Sequence, residues 1–327
     1  MSFDDAYQSL TDHDDDARWA YGTGFSDPLA GVPTALPDGV DGAALAAYCL
    51  MIGDDALIMS HRLQQWVTRA PELEDEMALA NIGLDLLGQA RLLLTRAGEA
   101  EGAGRDEDAL AYLRDASDFR HVRLVERADA DFAHLIARLL VFATWRLALL
   151  DRLSASRDPV LAAIGAKGVK EVAYHRDYAA GWTVRLGDGT DLSHQRMQAA
   201  VDEVWPLLGE LFEPHATELA LAGVAVDPST VRAECDAVFS QVLHAATLDT
   251  PAAPPASGVS TTVSAVTGGA VLSEGAVLVP APTGGAASGD ASARLGGRGR
   301  DGVHGAELGE ILEELQGLAR ANPGGVW

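Results

Sequence analysis

The sequence predicts an all-α protein, an up-and-down helical bundle with extra helices towards its C-terminus. Leu and Ala, the strongest helix formers, dominate a chain of 327 residues that is 48% hydrophobic but only 6% aromatic. Long stretches of helix-forming sequence, each about 20 residues or more, follow one another with short connections, as in a bundle. Pro, Gly and Asp fall at the points where such helices start and stop. The length suffices for one large or two ordinary domains.

Taken in order, residues 1–42 hold "DDAYQSLTDHDDDARW" and a Gly/Pro-rich stretch without apolar period. They read as an acidic, poorly ordered leader; a metal patch at His13 is the lesser reading there. A helical bundle is expected over 43–250. Its first helix covers 43–69, and Pro71 separates it from a second over 72–100, with Pro at its first position, acids in its first turn and glycines at its end. Residues 105–128 are polar and read as one or two short helices. A third long helix follows over 130–156. Asp158-Pro159 caps and opens a fourth, which runs to "LGDGT". Asp191 or Ser193 caps a fifth over 194–212, interrupted by Pro206, and Asp227-Pro228 opens another that ends near 248. Residues 251–302 are rich in Ala, Gly, Pro, Ser and Thr and read as a surface linker, with a short hairpin possible in "AVLSEGAVLVPA". A terminal helix within 303–327 carries Leu308, Ile311, Leu312, Leu315 and Leu318 at helical spacing, a face that docks on the bundle or on a partner.

The net charge is −24, and of 24 basic residues only Lys167 and Lys170 are lysines. Phosphates would be repelled, so nucleic-acid binding through a basic footprint is excluded. The lysine-poor, acid-rich balance resembles that of proteins from salt-loving organisms, whose solvated acidic surfaces are screened by salt. Cys49 and Cys235 lie far apart among apolar neighbours, as buried free thiols in a reducing compartment do. The N-terminus has no apolar signal segment, and the longest apolar run, from Leu139, is about a third of a membrane span. A cytoplasmic protein with no membrane partner is expected.

The polar groups inside the helices bear on chemistry. A di-iron bundle takes one Glu from each of two helices and a Glu-x-x-His pair from each of two others. The fourth helix offers Glu171 and His175, spaced by four, with Val172 three before the histidine. A spacing of four still shares a face, so this pair alone decides nothing. The second helix contains no histidine; its inward polar candidates are Asn81, Asp85 and Gln89. The first has Asp54, Asp55 and His61, and the third Asp131 and His134. A full ligand set does not assemble at the expected places. Glu171 reads better as an ion pair with Lys167 or Arg138, His175 as a hydrogen-bonded core histidine, and Asp85 and Gln89 as members of a buried polar network. Gly83 and Gly88 suggest close approach of another helix. No nucleophile elbow or phosphate loop competes.

Four stretches are recognisable: "PELEDEMALANIGLDLLGQARLLLTRAGE", "SRDPVLAAIGAKGVKEVAYHRDYAAGWTVRLGDGTDLSHQRMQAAVDEVWPLLGELF", "AGVAVDPSTVRAECDAVFSQVLHAATL" and "ELGEILEELQGLARANPGGVW". They resemble the C subunits of multicomponent phenylacetyl-CoA epoxidases, over about 43–250 and 303–327. The leader and the linker look longer than the family pattern. The resemblance implies a ferritin-like bundle and a non-catalytic structural role in aerobic phenylacetate degradation. It implies as partners a related catalytic A subunit, which carries the di-iron centre, and a reductase with flavin and iron–sulfur groups. No cofactor is expected in this chain. The ligand positions of the A-type second helix fall on Leu86 and Gln89, and those of the fourth on Val172 and His175. Three of these four are not ligands. The alternative is a di-metal oxygenase in its own right, with Asp54, Asp55, Asp85, Glu171 and His175 as ligands; a third reading is a stand-alone helical binding or storage protein.

Overall fold

The structure is a computed structural model that describes residues 29–252, 299–323 and 325. Its described residues contain helices and turns and no strand. Four long helices dominate: α1 (Gly42–Gln64), α2 (Leu73–Glu101), α4 (Phe132–Leu153) and α5 (Pro159–Gly187). Between α2 and α4 lie the short α3 (Glu107–Tyr112) and two 3-10 turns at 116–118 and 123–126. After α5 come α6 (Asp191–Val204), α7 (Leu208–Leu211), α8 (Ala216–Ala220), α9 (Arg232–Ala245) and α10 (Ala306–Ala321).

Local chemistry sets the ends. Asp41 caps α1 through the Ala44 amide at 2.8 Å, and Asp158 caps α5 through Leu161 at 2.9 Å with Pro159 at the first position. Gly102 closes α2 in the left-handed conformation, φ +66°, which a side chain would strain. Helix α1 ends five residues earlier than its sequence predicts. The chain instead winds in turns through Trp66 and Arg69 before Pro71. Pro71 stands just outside α2, whose cap position is Glu72. Thr190, rather than Asp191 or Ser193, caps α6; Ser193 completes its capping box. The fifth helix expected from the sequence is split at Val204, where Pro206 tightens the chain into a 3-10 turn.

The helices α1 and α2 form one antiparallel hairpin and α4 and α5 another, and the hairpins meet through α2 and α5. Helix α6 covers α4 and α5, α9 lies across both, and α10 docks on α3 and α1. The core is Leu-, Ala- and Val-rich, with Trp145, Tyr48, Phe119, Phe142 and Phe239 as its largest apolar members. Gly83 does meet α1: a methyl there would collide with Gln64, and Ser60 Oγ donates to the Gly83 carbonyl at 2.6 Å. Gly88 does not, having nothing within 4 Å.

Three sequence readings change. Residues 29–41 are not loose: Leu29, Val32 and Val40 pack on the core and the Thr34 carbonyl accepts from Arg96 at 2.6 Å. The segment 105–128 is not merely polar, since Phe119, His121, Val122, Leu124, Val125 and Glu126 are buried. The chain at 299–302 belongs to the bundle rather than to a surface linker, as Arg300 is buried in it. His13 and the possible hairpin in "AVLSEGAVLVPA" lie outside the described residues.

By length and composition α1, α2 and α4 are each apolar enough to cross a membrane. Helices α1 and α4 bury 72% and 83% of that stretch inside the bundle, but α2 only 44%. Its outer face shows Leu73, Met77, Leu84 and Leu87 at 67, 59, 58 and 38% exposure. At 100° per residue these four share one side of the helix.

The α4–α5 hairpin depends on close backbone approach at Gly165, where an added Cβ would lie 2.7 Å from the Ser154 amide and 2.9 Å from the Leu150 carbonyl. Gly165→Ala is expected to lower stability by about 1–3 kcal/mol through overpacking. Gly181→Ala, in open space on the same helix, should raise it by about 0.5–1 kcal/mol. Urea unfolding of the two variants checks the pair; effects of the same sign would contradict the packing described.

Candidate functional site

The polar centre of the bundle is built around Asp54 and Asp55, adjacent on α1 and both fully buried. Adjacent helical residues point about 100° apart, so each finds its own partner. Asp54 is gripped by both terminal nitrogens of Arg114, one at 3.0 Å, and accepts the Arg120 amide at 2.8 Å. Asp55 takes a two-pronged contact from Arg300 at 3.1 and 2.8 Å, and the Val122 amide at 2.9 Å. Arg300 also donates to the carbonyls of Met51 and Arg120 at 2.8 and 2.9 Å. Burial works to discharge Arg300, but Asp55 and Glu218 outweigh it and hold its pKa above the ordinary arginine value.

A third guanidinium reaches inward from α4. Arg146 is fully buried, donates through Nε to Gln89 Oε1 at 2.8 Å and through a terminal nitrogen to the Ile52 carbonyl at 3.1 Å. Its other terminal nitrogen has no hydrogen-bond partner among the described residues. Burial brings its pKa down to about 10, so it remains a cation at neutral pH. Gln89 turns its amide nitrogen to Glu171 at 2.9 Å, and Glu171 receives Lys167 Nζ at 2.5 Å. Of the two ion-pair partners considered for Glu171, Lys167 is the observed one; Arg138 pairs with Asp129 instead.

His175 is buried on α5, with Nε2 3.0 Å from Asp85 Oδ2 on α2. Leu86 and Val172 are fully buried apolar residues. Of the positions onto which the resemblance lays ligands, two are thus packing groups, Gln89 is a relay between Arg146 and Glu171, and His175 is paired with Asp85. The structure does not gather Asp54, Asp55, Asp85, Glu171 and His175 around one point. Asp54, Asp55 and Glu171 already face cations that belong to the chain, and Asp85 faces His175. Outside this centre, Asp131 caps α4 and holds His134 at 2.7 Å, and His61 meets Glu314 at 3.0 Å. Cys49 and Cys235 are free and buried, and burial pushes the Cys235 thiol up to about 12.

Among the described residues one group of metal-ligating side chains does converge, and sequence reasoning missed it: His121, Glu126 and His304. Its members lie in the 3-10 region after α3 and just ahead of α10. No spacing rule links groups separated by 178 residues; the only sequence signal was a histidine beside a glycine in "GVHGAEL".

An antiparallel four-helix core whose polar interior is crossed by arginines is a ferritin-like bundle carrying its own cations. The chain belongs to the phenylacetic acid catabolic protein family, whose model matches residues 34–261. It is 41% identical over 285 residues to the C subunit of the 1,2-phenylacetyl-CoA epoxidase of Escherichia coli (strain K12), an alignment covering 86% of this chain and 99% of that protein.

Removing one partner of a buried ion pair strands the other charge. Asp55→Ala is expected to destabilise the chain by about 3–5 kcal/mol, and adding Arg300→Met to recover most of that loss. Urea unfolding of the single and double variants measures the coupling; additive effects would show that Asp55 and Arg300 do not act as a pair.

Proposed function

We propose that the chain is a non-catalytic structural subunit of a multicomponent phenylacetyl-CoA 1,2-epoxidase, acting in aerobic phenylacetate degradation in the cytoplasm. It supports a separate catalytic A subunit, which holds the di-iron centre, while a flavin and iron–sulfur reductase supplies electrons. This chain contributes no cofactor to the epoxidation.

The observation that carries the reading is Arg146. Its buried guanidinium sits against Gln89, one of the positions where the resemblance lays a metal ligand. A fixed positive charge there repels a metal cation, and the neighbouring Glu171 is already paired with Lys167. The kinship to a protein named as an epoxidase subunit supports the assembly. So does the stripe of Leu73, Met77, Leu84 and Leu87 on α2, an exposed apolar surface of the kind that marks protein contacts. Gly88, with open space above it on the same helix, leaves room for a partner's backbone. The opposing possibility, a di-metal oxygenase built on Asp54, Asp55, Asp85, Glu171 and His175, has this geometry against it.

Reconstitution with and without this chain tests the proposal. The catalytic subunit is expected to lose stability and turnover when the chain is omitted, and iron to travel with the catalytic subunit in the purified complex. Leu84→Glu should weaken co-elution at least about tenfold, equivalent to ~1.4 kcal/mol, with an unchanged far-UV spectrum. Unchanged turnover without this chain would refute the supporting role.

A further inference from the structure

We propose that His121, Glu126 and His304 form a binding site for one divalent cation of the zinc class, a staple that ties the entry of the C-terminal helix to the bundle. This goes beyond the subunit role above and is independent of it.

The geometry begins with one oxygen. Glu126 Oε2 lies 3.0 Å from His121 Nε2 and 3.1 Å from His304 Nδ1. The imidazoles are stacked with centroids 4.1 Å apart at 22°, and the ligand atoms of the three side chains all lie within 4.8 Å of one another. The three side chains have relative exposures of 0, 0 and 4%. The other carboxylate oxygen is already held by the Gly305 amide at 2.7 Å, leaving Oε2 to face the nitrogens. Donors around a tetrahedral zinc at about 2.1 Å lie about 3.4 Å from one another, so the two nitrogen–oxygen distances need to open by a few tenths of an ångström, and the stacked rings must turn to bring both lone pairs onto one ion.

Proton positions sharpen the point. His304 Nε2 lies 3.0 Å from the Phe119 carbonyl, which only accepts, so this nitrogen carries a hydrogen. A neutral imidazole has one N–H, and Nδ1 of His304 is then a lone pair aimed at a carboxylate oxygen. Two acceptors at 3.1 Å require a cation between them, either a second proton on His304 or a metal. The second histidine on the same oxygen favours the metal, because two imidazoles and a carboxylate are a donor set that zinc takes. The carbonyl behind His304 also fixes the tautomer in the way that ligating histidines require. Mg²⁺ and Ca²⁺, which want six or more oxygens, do not fit.

The test uses the full-length chain, dialysed against a chelator and titrated with Zn²⁺ by calorimetry and with Co²⁺ as a visible probe. One ion per chain, a raised melting temperature and a tetrahedral Co²⁺ spectrum without thiolate bands are expected. His304→Gln should weaken binding by more than about tenfold, as should Glu126→Gln, while His134→Gln leaves it unchanged. Should either site variant misfold, X-ray absorption of the zinc-loaded parent decides, since imidazole ligands support the site and an all-oxygen environment overturns it. No stoichiometric ion, or equal binding by His304→Gln, also overturns it and leaves the second proton as the reading.

Discussion

Two aspartates side by side in the middle of an apolar helix constrain everything around them. Asp54 and Asp55 are fully buried, and an ionised carboxylate removed from water must be neutralised locally. In a di-iron bundle the metals serve that purpose. Here Arg114 and Arg300 do so, each as part of the polypeptide. The consequence is topological: the segment after α2 must fold back over α1 to deliver Arg114, and the chain ahead of α10 must reach the same place to deliver Arg300. The Arg120 and Val122 amides complete the two carboxylates. The charge pairs thus fix where the irregular segments lie on an otherwise regular bundle.

Most of the stability resides elsewhere, in the Leu/Ala-rich packing between α1 and α2 and between α4 and α5. Buried ion pairs give back little net energy once desolvation is counted; their contribution is register, since a one-turn slip of α1 would leave charges stranded. The same logic extends along the bundle through Arg146, Gln89, Glu171 and Lys167, a chain of donors and acceptors that spans α4, α2 and α5. A bundle locked in this way can present a fixed outer face, and α2 presents an apolar stripe on it.

The long helices were legible because their signals are local. Asp158-Pro159 and Asp227-Pro228 announce helix starts by side-chain and ring geometry; Gly102 announces an end by its positive φ. The interior's departure from a Glu-x-x-His pattern was legible too, because Leu86 and Val172 are apolar wherever the helix places them. The arginine partners were not. Asp55 and Arg300 are separated by 245 residues, and Arg300 follows a stretch of small residues that reads as linker. Likewise the segment 119–126 looks polar in sequence, yet His121 and Glu126 are inside: His121 pairs with Glu126, and Glu126 is met by His304 and Gly305 from the far end of the chain. Charge in a sequence signals solvent only when no buried partner waits for it, and that partner is a property of the tertiary fold.

The central claim is that guanidinium groups occupy the interior space that metals take in a di-iron bundle. It is tested most directly by crystals of the assembled complex prepared with excess ferrous iron, with anomalous difference maps recorded at the iron edge. The account predicts no iron peak in the interior of this chain between Gln89, Asp55 and Arg146. A bridged pair of peaks there, with Arg146 turned aside, would contradict it.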